Sequence, residues 1–282
     1  MVKEAASPLS LGFSPCPNDT FIFHALVHGL VPEAPVFTPP RLEDVETLNR
    51  LALAGRLDVS KLSFHALGHV LDQYLLLGAG AALGRGCGPL LVAREPIAPT
   101  RLAGRRLAVP GRYTTAAMLL GLFAPACRNP EVIRFDQIMP ALVRGEIDAG
   151  VIIHESRFTY RDHGLVLLAD LGAWWEESSG LPIPLGGIAA RRSLGKERLT
   201  AIEQAIRQSV EAAFADPARA MPYIRRHAGE LDERVLRSHI ELYVNDFSIE
   251  LGAEGRAAIT EFLRRGRQAG VLPPLPAAGL FA

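Results

Sequence analysis

The amino-acid sequence predicts an α/β fold of two lobes with a cleft between them, and this expectation rests on the chain length and on a repeated pattern. At 282 residues, the chain is longer than a typical single-core domain, so two domains of about 100 to 200 residues each are expected. Near the start, an apolar run is followed by a loop at residues 14–20 and a helix-like stretch. The same layout returns around a loop at residues 111–115, which predicts two similar α/β halves.

Each half continues to a second matching phrase, G-R-L-D-V at residues 55–59 and G-E-I-D-A at residues 145–149. In both places a helical pattern precedes the glycine. A glycine that ends a helix ahead of a short apolar strand is how a βαβ unit returns to its sheet. The two phrases therefore support one plan used twice.

Two strand-like runs bracket the second half, G-P-L-L-V-A at residues 88–93 and P-L-G-G-I-A at residues 184–189. We interpret them as a pair of crossover strands that form a hinge, because the connections between lobes should be extended and marked by glycine or proline. The first lobe would then consist of residues 1–92 and 185–282, with helices after residue 194 that cover it. The second lobe, residues 93–184, would be inserted between these two parts.

The composition excludes several classes of protein. The chain carries 30 basic and 30 acidic side chains, so no nucleic-acid partner is expected. It has no run of 18 apolar residues and no apolar signal-peptide core near its start, so we expect a cytoplasmic protein without a membrane partner. Cys16, Cys87 and Cys127 are widely spaced, which favours reduced structural thiols over disulfides or a zinc site.

Four loops should meet at the carboxyl ends of the strands, where ligands bind in open α/β sheets. They are residues 14–20, residues 60–63, residues 111–115 and the segment that begins at His154. In the first loop, the side chains before the predicted helix at residues 21–28 are candidate helix caps, since their oxygens can accept unpaired N–H groups; they are Asn18, Asp19 and Thr20.

Thr114 and Thr115 lie where a helix should begin. Their hydroxyls and the first backbone N–H groups could hold a carboxylate with help from the helix dipole, and a plain helix cap is the alternative. Lys61, at the end of a predicted strand, could supply a matching cation or could be an ordinary surface lysine. A small carboxylate is therefore the expected ligand.

His154 is the candidate general base. The apolar run at residues 149–153 predicts a buried strand that carries this imidazole at its carboxyl end. With an ordinary pKa near 6.5, a histidine can take and return a proton near neutral pH. The alternative is a structural histidine that only donates to a carbonyl. Glu155 could orient the ring or pair with Arg157.

Neither a metal nor a nucleotide cofactor is predicted. His24 with His28 and His65 with His69 have the i, i+4 spacing that zinc uses, but neither pair has the glutamate of an H-E-x-x-H motif. No third ligand is evident for either pair. The glycine-rich residues 84–88 precede a strand, whereas a dinucleotide site needs a helix there.

Five motifs occur along the chain: S-P-C-P-N-D-T at residues 14–20, K-L-S at residues 61–63, T-T at residues 114–115, H-E-S-R-F-T at residues 154–159 and W-W-E at residues 174–176. In combination they resemble the 1,4-dihydroxy-6-naphthoate synthase family, and the resemblance covers nearly the whole chain, as far as Tyr243, Val244 and Asn245. The resemblance implies a fold like the type II periplasmic binding proteins. It also implies a cofactor-free lyase that splits cyclic dehypoxanthinyl futalosine into 1,4-dihydroxy-6-naphthoate and dihydroxyacetone, in the futalosine route to menaquinone.

The resemblance also implies roles for particular residues. His154 is similar to the family's proton acceptor. The matching substrate contacts are Lys61, Leu62, Ser63, Thr114 and Thr115, and further possible cleft residues are Ser14, Asn18 and Asp19. Two alternatives stay open: a binding or sensing module for a small acid on the same fold, and the chorismate dehydratase of the same pathway.

Overall fold

The computed structural model describes residues 7–229, 232–274 and 279–282. Its strands, in chain order, are β1 (Leu11–Phe13), β2 (Arg41–Leu42), β3 (Val59–Ser63), β4 (Tyr74–Leu76), β5 (Ala82–Gly84), β6 (Leu90–Ala93), β7 (Leu107–Val109), β8 (Glu131–Val132), β9 (Ala149–Ile152), β10 (Val166–Asp170) and β11 (Ile183–Arg191).

The helices are α1 (Pro17–Val27), α2 (Val45–Leu53), α3 (Phe64–Val70), α4 (Thr115–Phe123), α5 (Phe135–Arg144), α6 (Ser156–Thr159), α7 (Leu171–Ser179), α8 (Lys196–Ala215), α9 (Pro217–His227), α10 (Glu233–Tyr243), α11 (Asp246–Ile249) and α12 (Gly252–Gln268). Within the described ranges, no helix combines the length and the apolar character that crossing a bilayer requires.

The strands form two sheets. We call the lobe built on the first sheet the first lobe, and the lobe built on the second sheet the second lobe. The first sheet has the order β2-β1-β3-β11-β4, with β5 also paired to β11, and the second has the order β10-β6-β9-β7-β8. In the first sheet β1 is parallel to β2 and β3, and in the second β7 is parallel to β8 and β9. Each lobe thus contains one β-α-β-α-β unit whose first strand lies between the other two, which confirms the repeated layout.

The two predicted crossover runs become strands that occupy matching places. β11 is antiparallel to β3 in the first sheet, and β6 is antiparallel to β9 in the second. Each therefore extends its sheet beside the third strand of the repeated unit. The second sheet takes its strands from residues 90–170, and the first takes its strands from both sides of that segment. The division of the chain at residues 92 and 185 stays a prediction.

The glycine of each repeated phrase lies at the end of a helix. Gly145 is the C-cap of α5 with φ of 75°, and Gly55, just after α2, has φ of 60°. Left-handed backbone of this kind favours glycine because it has no Cβ. Each glycine thus turns the chain from a helix into the strand that carries site residues, β3 in one lobe and β9 in the other.

Helix α1 begins earlier than the sequence pattern suggested. Pro17 occupies its first turn and Cys16 is its N-cap residue. Proline is suited to the first turn because the N–H it lacks would have no helical partner there. The expectation that Asn18, Asp19 or Thr20 caps this helix is therefore wrong, since all three lie inside it.

Apolar packing joins the lobes as well as filling them. One cluster fills the space between the first sheet and the helices α1, α8, α9 and α10, and another includes residues of both sheets together with α3, α4 and α12. In the second cluster, the buried ring of Trp175 packs edge-on against Phe262, with 5.4 Å between ring centroids. Trp174 packs against Phe123. Both tryptophans thus belong to the packing of the lobes.

Candidate active site

A cavity lies between the lobes, at the carboxyl ends of β1, β3, β7 and β9, where loops and helix N-termini converge. It contains about 660 Å³ of space free of protein atoms, part of which is open to solvent. Every residue that the sequence suggested for the site lines this cavity: His154, Lys61, Leu62, Ser63, Thr114, Thr115, Ser14, Asn18 and Asp19. Their roles in binding and catalysis stay predictions.

Asp19 is the centre of a buried polar cluster that we call the cavity floor, formed by Ser14, Asn18, Asp19 and Lys61. Its Oδ2 accepts hydrogen bonds from the Ser14 N–H at 3.1 Å and the Ser14 hydroxyl at 2.7 Å. Its Oδ1 accepts from Asn18 Nδ2 at 2.9 Å and pairs with Lys61 Nζ at 2.9 Å. Because each carboxylate oxygen already has two donors, Asp19 serves to hold its neighbours.

Lys61 is a buried ammonium group, only 5% exposed, so the alternative of a surface lysine is wrong. Besides its ion pair with Asp19, Lys61 Nζ donates to the Gly80 carbonyl at 3.2 Å. An ammonium group has three N–H donors, and the third has no partner in the described part of the chain. Since Lys61 lines the cavity, this donor is available to a ligand.

Thr114 acts as a helix cap. As the N-cap residue of α4, its Oγ1 accepts from the Ala117 N–H at 3.2 Å and donates to the Gly111 carbonyl at 2.8 Å. This hydroxyl has one proton to donate, and the Gly111 carbonyl receives it. The hydroxyl of Thr114 therefore has no proton left for a substrate carboxylate.

Thr115 uses its hydroxyl in the same way. Its Oγ1 donates to the Leu185 carbonyl at 2.6 Å and accepts from the Phe64 N–H at 3.1 Å. The backbone N–H groups of Thr115 and Ala116, in the first turn of α4, have no partner among the described residues. An anion at this place would meet two backbone donors and the positive end of the helix dipole.

His154 follows β9 and extends into the cavity with a backbone φ of 57°. This left-handed conformation costs a residue other than glycine roughly 1 to 2 kcal/mol. Its Nε2 lies 3.9 Å from the Cys16 sulfur. The Phe135 ring meets the imidazole edge-on at 5.3 Å, and the His239 ring lies nearly parallel to it at 6.0 Å. Residues of both lobes thus surround this side chain.

The surroundings of His154 favour its neutral form. Burial lowers its pKa below the ordinary 6.5, and the nearby ammonium of Lys61 acts in the same direction. The carboxylates of Glu155 and Asp19 oppose this shift. Burial also raises the pKa of the adjacent Cys16 thiol, which stays protonated. The cavity therefore holds a neutral imidazole that can accept a proton.

The rest of the cavity wall is mainly apolar. It includes Val45, Pro89, Ile153 and Leu185, with the phenol of Tyr243 and the thiol of Cys87 among them. Burial raises the pKa of Cys87 to about 12 and raises that of Tyr243 above its ordinary 10. Both groups are thus protonated at neutral pH. This wall suits a flat, largely apolar ring, whereas the floor suits polar groups.

Sequence reasoning missed two polar residues of α2 that shape the site. The Glu46 Oε2 accepts from the Tyr113 N–H at 3.0 Å, and Asn49 Nδ2 donates to the Tyr113 carbonyl at 3.3 Å. Asn49 also bonds the N–H and the hydroxyl of Ser63. Side chains of the first lobe therefore hold a loop of the second lobe, the loop that precedes α4. The sequence signal that could have identified them is a polar residue on the predicted buried face of a helix.

The histidines of the two i, i+4 pairs contact a backbone carbonyl or other aromatic rings. His65 Nδ1 lies 3.1 Å from the Thr114 carbonyl and so donates to it. The His24 and His28 rings are tilted against each other beside Tyr223, with 4.6 Å between the two imidazole centroids. Across the described ranges, no group of three or more His, Cys, Asp or Glu side chains is arranged to hold a metal ion.

Two lobes joined by crossover strands around a central cavity define the class of periplasmic-binding-protein-like folds, and solved structures agree. An Archaeoglobus fulgidus protein superposes with a TM-score of 0.88 at 36% identity, covering 94% of this chain and 98% of that one. The alkanesulfonate-binding protein of Xanthomonas axonopodis pv. citri superposes with a TM-score of 0.70 at 16% identity, covering 96% of both chains. The second likeness shows the fold alone.

The chain belongs to the menaquinone biosynthesis family, whose family model matches residues 9–268. A 1,4-dihydroxy-6-naphthoate synthase of Thermus thermophilus is 54% identical over 268 residues, which cover 95% of this chain and 97% of that protein. A 1,4-dihydroxy-6-naphthoate synthase of Streptomyces coelicolor is 48% identical over 276 residues, which cover 96% and 97%.

Proposed function

We propose that this chain is a 1,4-dihydroxy-6-naphthoate synthase, a lyase that releases dihydroxyacetone from cyclic dehypoxanthinyl futalosine, with His154 as the general base. The observation that carries the proposal is the position of His154, a neutral imidazole facing a cavity between a polar floor and an apolar wall. The two synthases at 54% and 48% identity support the choice of reaction. The proposal includes the cytoplasmic location expected from the sequence.

In the proposed reaction, His154 removes a proton next to a carbonyl group of the substrate. The resulting electron pair allows a carbon–carbon bond to break, and formation of an aromatic ring favours the products. Closure of the lobes keeps water away from the reacting atoms. A base with a lowered pKa is suited to this step because it stays unprotonated at neutral pH.

In the proposed complex, the substrate carboxylate binds at the N-terminus of α4, where the N–H groups of Thr115 and Ala116 have no partner among the described residues. The hydroxyls of Thr114 and Thr115 hold this loop instead, because both already donate to backbone carbonyls. The remaining N–H of Lys61 is placed to bind an oxygen of the substrate at the cavity floor. Binding of the carboxylate therefore rests on backbone donors that the threonines position.

The test is to incubate the purified protein with cyclic dehypoxanthinyl futalosine and to follow 1,4-dihydroxy-6-naphthoate by mass spectrometry. The matched variant is His154→Asn, because asparagine tolerates the left-handed backbone but cannot take up a proton. We expect product from the wild type and a loss of roughly 10²- to 10⁴-fold in kcat in the variant. The acidic limb of the wild-type kcat/KM profile should lie below pH 6.5, since burial lowers the pKa of His154.

Other outcomes would select the alternatives. Full turnover by His154→Asn would reject the proposed base. Conversion of chorismate in place of the futalosine derivative would indicate the dehydratase. A substrate that binds tightly and is never changed would indicate a binding module.

A further inference from the structure

His239 is a buried histidine behind the cavity floor that the proposed reaction does not use. It lies on α10 and is 0% exposed. Its Nε2 is 3.0 Å from the side-chain oxygen of Asn18, and its ring is nearly parallel to that of His154. Burying a polar ring without full hydrogen bonding costs free energy, so the complete burial of His239 indicates that its remaining hydrogen bond has a role.

The hydrogen-bond directions in this cluster determine the tautomer of His239. A carboxylate only accepts, so the Asn18 amide nitrogen must face Asp19, to which it donates at 2.9 Å. The amide oxygen of Asn18 therefore faces His239, and the proton of that ring lies on Nε2. The ring's Nδ1 is left as a buried acceptor without a partner among the described residues.

The chain of bonds ends at the group that a ligand would meet. From His239 it passes through the Asn18 amide to Asp19 Oδ1, which pairs with Lys61 Nζ at 2.9 Å. If the Asn18 amide turned over, its oxygen would face the carboxylate of Asp19, and two acceptors would repel each other. The Nε2–H of His239 opposes the same reversal from the other side, because it needs the amide oxygen of Asn18 as its acceptor.

We propose that His239 is a positioning residue: its Nε2–H orients Asn18, and through Asp19 it holds the Lys61 ammonium against the cavity. This role rests on the proposed function insofar as Lys61 binds an oxygen of the substrate. Misplacing a substrate-binding group by about 1 Å can cost a factor of roughly 100 in rate. The contribution of His239 should therefore be seen mainly in kcat.

The neutral state of His239 agrees with this role. Burial, and to a lesser extent the neighbouring His154, lowers the pKa of His239 well below its ordinary 6.5. A neutral ring keeps one bare nitrogen and one N–H, which the bond to Asn18 requires. A neutral His239 also adds no positive charge beside His154, which already lies near the Lys61 ammonium.

The experiment compares two variants that differ in the donor alone. In His239→Gln the side-chain amide nitrogen can take the place of Nε2, whereas His239→Met has similar length and no donor. We expect kcat to fall roughly 10- to 100-fold in His239→Met, with a smaller change in KM, and much of this loss to be restored in His239→Gln. The control is Leu236→Ala, also at a fully buried position of α10, which should lower the thermal midpoint and leave kcat unchanged.

A second readout does not depend on turnover. Nitrogen-15 NMR of the histidine rings should show His239 as the neutral Nε2–H tautomer, and Asn18→Leu should change that signal. Should the wild type not convert the substrate, the proposed function fails while the NMR result still decides the hydrogen-bond chain. An Nδ1–H tautomer, unchanged kcat in His239→Met, or a His239→Gln variant as impaired as His239→Met would overturn the positioning role.

Discussion

Single side chains at this site have nearly all their hydrogen bonds inside the protein. Asp19 has two donors on each oxygen, and the hydroxyls of Thr114 and Thr115 both donate to backbone carbonyls. Among the described residues, one N–H of Lys61 and two backbone N–H groups at the start of α4 have no partner in the protein and are available to a ligand. Groups held in this way need little reorganisation when charge develops during a reaction.

The buried His65 should make stability depend on pH. Burial lowers its pKa from 6.5 to about 4, so the unfolded chain takes up a proton at a higher pH than the folded chain does. Its contribution to stability is complete above pH 6.5 and is lost as the pH falls towards 4. Between pH 7.5 and 4.5, this residue alone should remove roughly 2 to 3 kcal/mol from the free energy of unfolding.

The variant that tests this is His65→Asn, because the Asn amide can still donate to the Thr114 carbonyl but does not titrate. Urea unfolding at the two pH values should show a smaller loss of stability in the variant than in the wild type. The same substitution at the exposed His163 is the control and should leave the loss unchanged. Equal losses in wild type and His65→Asn would contradict the prediction.

At the scale of elements, two segments of the second lobe meet through their backbones. A Cβ built on Gly88, just before β6, would lie 2.2 Å from the Gly172 Cα in α7, and one on Gly172 would lie 2.6 Å from the Gly88 Cα. The atoms that an added Cβ would meet belong to the backbone, which cannot move aside as the end of a flexible side chain can. Only glycine at both positions therefore allows α7 to pack where it does.

Gly88→Ala should therefore lower the free energy of unfolding by about 3 kcal/mol, since the backbone must shift to accept the methyl group. The matched control is Gly121→Ala inside α4, where an added Cβ meets nothing within 4 Å. There, alanine should stabilise the protein by about 0.5 to 1 kcal/mol, because it favours a helix over glycine. Urea unfolding measures both, and equal stabilities would refute the close-approach argument.

At the scale of the whole molecule, the two lobes are in contact around the cavity. Glu46 and Asn49 of the first lobe bond the backbone of Tyr113 in the second, and His65 bonds Thr114 of the same loop. These contacts hold the loop that leads into α4, whose first residues, Thr115 and Ala116, line the cavity. Contact between the lobes therefore helps to position the loop at the proposed anion site.

Removal of one of these contacts should weaken substrate binding. Glu46→Met leaves the Tyr113 N–H without an acceptor when the lobes are in contact, whereas water can satisfy it when they separate. A loss of about 1 to 3 kcal/mol is expected for an unpaired buried donor, so KM should rise roughly tenfold or more while kcat changes little. Small-angle X-ray scattering should show a larger radius of gyration for the unliganded variant.

Glu46→Gln is the matched control, because its amide oxygen can still accept from Tyr113. It should keep KM close to the wild-type value. If Glu46→Met and Glu46→Gln were equally impaired, the negative charge of Glu46 would matter instead of the bond across the lobes.

Much of the fold could be predicted because its signals are local. The repeated phrases at residues 55–59 and 145–149 show where strands return to each sheet, and the apolar run before His154 shows which strand carries that imidazole. The sequence pattern predicts that α1 begins at residue 21, whereas it begins at Pro17, a residue type that is favoured in a first helical turn. The polar residues after it are typical helix caps, yet they lie within the helix, and two of them, Asn18 and Asp19, line the cavity.

The two α/β units, their crossover strands and the loops that carry His154, Lys61 and the threonine pair follow from local sequence patterns. The contact of His239 with Asn18, the bonds of Glu46 and Asn49 to the opposite lobe and the internal bonds of the threonine hydroxyls appear only in the folded molecule. These contacts join residues that are far apart along the chain: His239 and Asn18 are 221 residues apart. Periodicity and capping report on near neighbours, whereas such a contact exists only once helices and sheets have packed.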